Sequence, residues 1–527
     1  MLRRPQRRVA VLPLLAALGI ALGVAGDALA RDPPNHPRRP ARAAATTVAR
    51  LAPANRIKAG PAAQFRAPAG PNRAAPGSEA NRRSAAAPPL PHAPAPHALQ
   101  DARRAEHRRE IFAARSRLPQ HPLPGERGFT GVPPPGETRF VSNEMVFHVA
   151  PNVSRQTVEN VARKLNLSVV GSHDVALTGG TMFHLRLANG RPMADAVHAM
   201  EAEKLGVAQP NYVFKLQQDP KLAARSKGGE LAQYVVNKLH LGEVHRLATG
   251  SNVPVAVIDS EIDSRHPDLA GAFLERFDAV GRPDKPHAHG TGMAGAIVAH
   301  RQLMGIAPGA KILAVHAFSP EAGESAQATT QHILAGLEWA IGKGARVINM
   351  SFAGPYDPML ALAMKKAHEK GVVLVAAAGN LGPKSPPLYP AADPNVIAVT
   401  AVDQNDHLFT GANQGPHIAV AAPGVNVLEP APDAGYQITT GTSVAAAHVS
   451  GVAALMLERN RSLDPDAVHE ILTSSAKPLG AGGHDDQYGW GLVDPARALL
   501  DVDAQLANDR PNPARPAGGQ PGTLSAR

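Results

Sequence analysis

Between residues 254 and 402, short apolar runs alternate with stretches of helical periodicity. Pro254-Val255-Ala256-Val257-Ile258 is the first run, and comparable ones lie at 311–317, 347–350, 372–378 and 396–402. Each is brief and mostly apolar, as a strand buried on both faces should be. Helical patterns lie at 290–300, 326–341 and 359–370. The alternation predicts an α/β fold, an open and mostly parallel sheet with helices on both faces. In such a sheet, reactive side chains gather where strands end and helices begin.

Upstream the pattern changes. Residues 144–150 alternate as a half-buried strand, and Ser154 is placed to cap a helix running to about 165. Strands are predicted at 167–175 and 181–187 around Gly179-Gly180, then a helix at 192–203 and a strand at 207–216. The order β-α-β-β-α-β predicts a small α+β, ferredoxin-like domain over 140–217. At about 75 residues it is near the lower size for independent stability. Residues 218–232, with Asp219-Pro220 and Gly228-Gly229, read as an exposed linker before the large domain at 233–502.

The ends of the chain carry other signals. Arg3, Arg4, Arg7 and Arg8 precede an apolar stretch to Val24 and then Ala28-Leu29-Ala30, so residues 1–30 read as a secretory signal peptide. Residues 31–139 are rich in Ala, Pro and Arg and are expected to be disordered, with at most a short basic helix near 102–118. Residues 503–527 read as a disordered tail. No later stretch approaches the roughly 18 apolar residues of a spanning helix, so no membrane contact is expected once the signal is removed.

Charge refines this picture. Of the 54 Lys and Arg residues, 23 precede residue 140, against 8 of the 44 Asp and Glu. That region therefore carries +15 and the remainder −5, so the high isoelectric point belongs to a removable segment. No nucleic-acid partner is implied. The absence of cysteine excludes disulfides, thiol nucleophiles and thiolate metal sites.

Three polar residues fall at strand ends or helix starts. Asp259 ends the first run, His289 opens the helical pattern after it, and Ser443 opens an Ala-rich helix after Gly441-Thr442. By itself Ser443 could be an N-cap serine. A base that takes its proton and a carboxylate that fixes the base's tautomer would make it a nucleophile, and the order Asp, His, Ser is one of the known arrangements of such a triad. Asn380, directly after the run at 372–378, could donate to an oxyanion together with the Ser443 N–H. His287 and His289 lack the spacing of a catalytic metal pair.

The motifs resemble those of subtilisin-like serine peptidases, the subtilases. Ile258-Asp259-Ser260-Glu261-Ile262-Asp263 with His266-Pro267-Asp268-Leu269, then His289-Gly290-Thr291-Gly292, then Gly441-Thr442-Ser443-Val444-Ala445 carry the likeness, over about residues 233–500. The 140–217 domain, closing in Gln209-Pro210-Asn211-Tyr212, resembles the family's inhibitory propeptide. The resemblance implies a secreted or periplasmic serine endopeptidase made as a self-processing zymogen, monomeric, with its own propeptide as inhibitor and peptides as substrates. The alternative is a catalytically silent homologue acting as a binding module. The likeness further implies substrate-binding segments at Ser351, Phe352, Ala353 and Gly354 and at Ala378 and Gly379. Ala353 and Gly354 would leave room for a sizeable apolar side chain next to the cut, with Leu388 bounding its pocket. No cofactor is required for catalysis, and a structural calcium near Asp485-Asp486 or loop carbonyls is a family option. Glu261, Gly292 and Ala447 depart from the family's usual glycine, histidine and proline. A carboxylate at Glu261, so close to Asp259, is expected to bear on the histidine.

Overall fold

The apolar runs become neighbouring strands of one sheet. The structure, a computed structural model, describes residues 96–188, 190–217, 224–226, 233–320 and 326–509. The signal-peptide reading of 1–30, the first part of the 31–139 segment, most of the linker and the end of the tail lie outside the described residues.

The elements begin with helix α1 (Pro96–Arg115) and strand β1 (Phe140–Val149). Helix α2 (Arg155–Lys164), strands β2 (Leu167–Asp174) and β3 (Thr181–Leu187), helix α3 (Met193–Ala202) and strand β4 (Gly206–Leu216) follow. Ser154 caps α2, its hydroxyl accepting the Thr157 N–H at 3.1 Å. The strands form an antiparallel sheet in the order β4-β1-β3-β2. One face packs Phe147, Phe183 and Leu185 against Val158, Val197 and Met200 of the two helices. The other turns Val146 and Met182 toward the large domain.

Short elements lead into that domain: β5 (Ala224–Ser226), α4 (Tyr234–Lys238) and α5 (Leu241–Leu247). Then come β6 (Pro254–Ser260), β7 (Phe273–Asp278), α6 (Ala288–Val298), β8 (Lys311–Phe318), β9 (Gln327–Thr329) and α7 (Thr330–Gly342). Next are β10 (Val347–Met350), β11 (Phe352–Ala353), α8 (Pro358–Glu369), β12 (Val373–Ala377) and β13 (Ile397–Val402). The chain continues through β14 (Ile418–Pro423), β15 (Val427–Ala431), β16 (Gly435–Thr439), α9 (Thr442–Arg459), α10 (Pro465–Ser475) and α11 (Pro495–Asp509).

Seven strands pair in parallel in the order β14-β13-β12-β10-β6-β8-β7. Side chains along each strand divide between two cores, as a period of two requires. Val255 and Val257 face α6 and α9, whereas Ala256 and Ile258 face α7 and α8. Helix α9 is buried all round from Thr442 to Leu457, which its apolar, small-residue composition permits. This buried helix holds Ser443 in its first turn against the strand ends.

Strand β4 joins both parts of the molecule. Its first half pairs with β1, from Val149 opposite Gly206 to Phe140 opposite Tyr212. Its second half runs antiparallel to β9, with Phe214 opposite Ala328, and to β11, with Leu216 opposite Phe352.

Two expectations are corrected at the termini. Residues 96–139 of the segment read as disordered include helix α1, whose Ile111 and Ala114 are buried, as is Leu118 just beyond it. A short basic helix near 102–118 was expected here, but the spacing of apolar residues at 111, 114 and 118 on one buried face was masked by the arginines. At the other end α11 carries the fold past residue 502, and Arg459 pairs with Asp503. Within the linker, β5 pairs antiparallel with β16.

Candidate active site

Asp259, the penultimate residue of β6, is fully buried. A buried carboxylate needs several donors, and it has them. Its Oδ1 accepts from the Ser260 backbone N–H at 2.7 Å and the Ser260 hydroxyl at 3.0 Å, and its two oxygens lie 2.8 and 2.9 Å from His289 Nδ1. An ionised carboxylate only accepts, so Nδ1 carries the proton and Nε2 presents a lone pair. His289 sits in the first turn of α6. His287, held below the usual histidine range by burial and by the His289 ring, caps that helix by accepting the His289 N–H.

His289 Nε2 is buried without a hydrogen-bond partner among the described residues. Sequence reasoning directs that lone pair at Ser443. In the structure, the Ser443 hydroxyl is instead turned toward two carbonyls, Gln217 at 2.5 Å and Ser351 at 3.1 Å. The reason is the chain lying in the cleft. The last residues of β4 bring the Gln217 carbonyl onto the serine, and the Gln217 N–H donates to the Ser351 carbonyl at 3.3 Å. Gly441 makes that approach feasible, since a Cβ there would lie 2.9 Å from the Gln217 oxygen and 3.0 Å from Asn380 Nδ2.

Asn380 is oriented by its neighbours. Its Oδ1 accepts from the Thr442 N–H at 3.1 Å and from the Thr442 hydroxyl at 2.8 Å. Because a backbone N–H can only donate, the amide's oxygen and nitrogen are assigned without ambiguity. Thr442 Oγ1 in turn accepts from the Gly379 N–H at 3.1 Å. Asn380 Nδ2 is then buried without a hydrogen-bond partner among the described residues, on the same side of Gly441 as the Gln217 carbonyl. An unmade hydrogen bond at a buried donor costs about 1–3 kcal/mol. Such a donor suits an acceptor that strengthens as negative charge develops.

Residues 351–354 line the strand lying in the cleft. The ring of Phe214 occupies the space over Gly354, where a Cβ would meet it at 2.4 Å, and packs edge-on to Phe352 at 5.9 Å. Gly354 therefore faces the fourth residue of Phe214-Lys215-Leu216-Gln217, counted back from the carbonyl on the serine. The expected room beside the cut is taken up there instead. The Gln217 side chain accepts the Asn380 N–H at 3.0 Å and donates to the Lys215 carbonyl at 3.1 Å. Leu388 fills the space at Gly379, where a Cβ would lie 2.8 Å from its Cδ1.

The departures from the family pattern acquire local explanations. Glu261 turns away from His289 and pairs with Arg276, its Oε2 3.8 Å from His316 Nδ1. Gly292 leaves room for Glu429, whose Oε2 would lie 2.7 Å from a Cβ at 292. Burial pushes its carboxyl up to about 7, against the opposing influence of the neighbouring Thr439 hydroxyl. Asp485 accepts from the N–H groups of Ala481, Gln487 and Tyr488, and Asp486 pairs with Arg117. Both carboxylates are thus engaged with the protein itself. Sequence reasoning assigned no role to Thr442, Ser260 or Glu429, although Thr442 and Ser260 stand within the motifs, and it had Gln217 only as the last residue of the 140–217 domain.

Residues 250–491 match the model of the peptidase S8, or subtilase, family. Subtilisin E of Bacillus subtilis (strain 168) is 36% identical over 298 residues, which are 53% of this chain and 76% of that protein. The chain belongs to the subtilase family. Membership places it among the serine endopeptidases. Another subtilase, fervidolysin of Fervidobacterium pennivorans, is 33% identical over 333 residues, 56% of this chain and 48% of its own. The chain thus spans about half the length of that relative. The crystal structure of fervidolysin, a keratinolytic enzyme related to subtilisin, superposes with a TM-score of 0.59 at 27% identity, covering 73% of this chain and 64% of the other. No described helix is long and apolar enough to cross a membrane.

Proposed function

We propose that this subtilase is an exported, monomeric serine endopeptidase, made as a zymogen that first cuts its own Gln217–Gln218 bond. The observation that carries the reading is the Gln217 carbonyl on the Ser443 hydroxyl, at the end of a strand held between β9 and β11. Strand addition of this kind binds a peptide through its backbone. His289, its tautomer fixed by Asp259, takes the proton as Ser443 Oγ attacks the Gln217 carbonyl carbon. The Asn380 amide and the Ser443 N–H hold the oxyanion. Collapse breaks the bond to the Gln218 nitrogen, which takes the proton from His289 and leaves an acyl-enzyme. Water, deprotonated by the same histidine, then releases the Gln217 carboxylate and restores Ser443. No cofactor enters these steps. Residues 140–217 would remain as an inhibitor with β4 in the cleft, and other peptides would follow the same path after it leaves.

The test is a fluorophosphonate label, which requires an activated serine, together with N-terminal sequencing of the processed protein. The expected result is labelling at Ser443, a new N-terminus at Gln218 and casein hydrolysis after processing. A processed chain that neither labels nor hydrolyses casein would overturn the reading.

A further inference from the structure

The segment upstream of β1 is bound to both parts of the molecule. His107, Ile111, Ala114 and Leu118 recur at helical spacing, and the last three are buried. His107 Nε2 lies 2.8 Å from Thr473 Oγ1 and its ring 4.1 Å from that of Trp490. Arg108 pairs with Glu470 at 3.1 Å and Arg117 with Asp486 at 2.9 Å. Asp466 and Asp393 act electrostatically on Arg115, whose guanidinium burial holds below its usual range. Downstream, Thr130 Oγ1 and the Gly131 N–H donate to Glu201 at 2.9 and 2.7 Å. A Cβ on Gly131 would lie 1.8 Å from the Ala208 carbonyl oxygen, so this stretch is pressed onto β4.

We propose that the acidic and aromatic face of α10 and the loop before α11, built by Glu470, Thr473, Asp486 and Trp490, is a docking site for a basic amphipathic helix. Residues 104–118 fill it, and through it the N-terminal fragment stays on the enzyme after the cleft bond is cut. The inference rests on the reading of 140–217 as a self-cleaved prodomain. Cutting at Gln217 frees one attachment only. The other makes release intramolecularly opposed, and two linked attachments hold about 10²–10⁴ more tightly than one. Exposed ion pairs contribute little individually, so the grip depends on the buried stripe and on Glu470, whose side chain is 9% exposed. The site selects charge as well as shape: basic side chains flank the apolar stripe and meet carboxylates.

The experiment uses the full chain, a Glu470→Arg/Asp486→Arg variant, and that variant combined with Arg108→Glu/Arg117→Glu. Activity on casein and co-elution of the cut fragment on gel filtration are followed after processing begins. The unsubstituted chain should retain the fragment after cutting. The first variant should lose it at least tenfold faster and gain activity correspondingly sooner, and the combined variant should recover retention. Equal release from the unsubstituted and first-variant chains overturns the docking site. A second arm uses Ser443→Ala chains and trypsin. The bond after Arg115 should be cut at least tenfold faster when Glu470 and Asp486 are reversed, and restored to slow cutting in the combined variant. Equal trypsin rates overturn docking even if the chain never processes itself, whereas absent processing with slow, charge-dependent trypsin cutting overturns the zymogen reading and leaves the docking site standing.

Discussion

The hydroxyl of Ser443 donates to the carbonyl of Gln217 at 2.5 Å, while the Nε2 lone pair of His289 has no partner among the described residues. The serine thus holds a peptide carbonyl before it has met its base. Replacing Ser443 with Ala should leave the chain uncut at Gln217–Gln218, with no mature N-terminus by mass spectrometry in a protease-free host. Normal processing of that variant would assign the cut to another enzyme.

Asn380 Nδ2 has no partner among the described residues and lies near that carbonyl. Asn380→Ala should lower kcat on a peptide substrate by about 10²–10³ with little change in KM. An unchanged kcat would remove Asn380 from the oxyanion role.

Thr442 fixes Asn380 through its side chain as well as its backbone. Thr442→Val removes the hydroxyl that donates to Asn380 Oδ1 and accepts from Gly379. The expected loss is about tenfold in kcat, since one of the two bonds orienting the amide persists. The comparison with Asn380→Ala is informative: in the double variant the losses should be far from additive.

Gly354 faces Phe214, so a side chain there should act on the fourth position before the cut. In steady-state assays with peptide libraries, Gly354→Leu should turn preference at that position from aromatic to small residues by about tenfold. It should also slow self-processing, and Phe214→Ala in the same chain should restore it. A shift confined to the residue next to the cut would contradict the placement.

Glu429 supplies a pH prediction. Burial raises its carboxyl to about 7 from an ordinary value near 4.5. Above 4.5 the unfolded chain gives up that proton while the folded one keeps it, so stability falls as pH rises to about 7 and then levels. The gap corresponds to about 3 kcal/mol. Glu429→Gln should flatten the pH dependence of thermal unfolding between 4.5 and 7 and be the more stable chain above it. Parallel curves for the two proteins would refute a buried neutral carboxyl.

The parallel sheet was legible because its strands are buried on both faces and so are continuous apolar runs, as at 254–258. Asp259, His289 and Ser443 were legible because the same pattern located the strand ends and helix starts around them. Gln217 was not legible in the pattern: nothing in Phe214-Lys215-Leu216-Gln217 tells a strand that ends from one lying in a cleft, and only the resemblance to the family's propeptide pointed that strand there. The burial of helix α1, a segment read as at most a solvated basic helix, was obscured for a different reason. Its apolar residues are few and spaced among six arginines between 103 and 117, so mean composition masks a stripe that becomes visible only against Trp490 and α10.

Strand β4 has a neighbour on each side in two different bodies, and the sheet it belongs to contributes Val146, Met182, Phe214 and Leu216 to a core shared with Ile333 and Met359. Separation therefore uncovers oily surface twice, once on the departing sheet and once on α7 and α8. The proposed maturation would be a wetting transition as much as a release. Under the proposed processing, the freed enzyme would present a bare apolar face, and any extended chain that can cover it, including another copy's β4, would compete for the same surface.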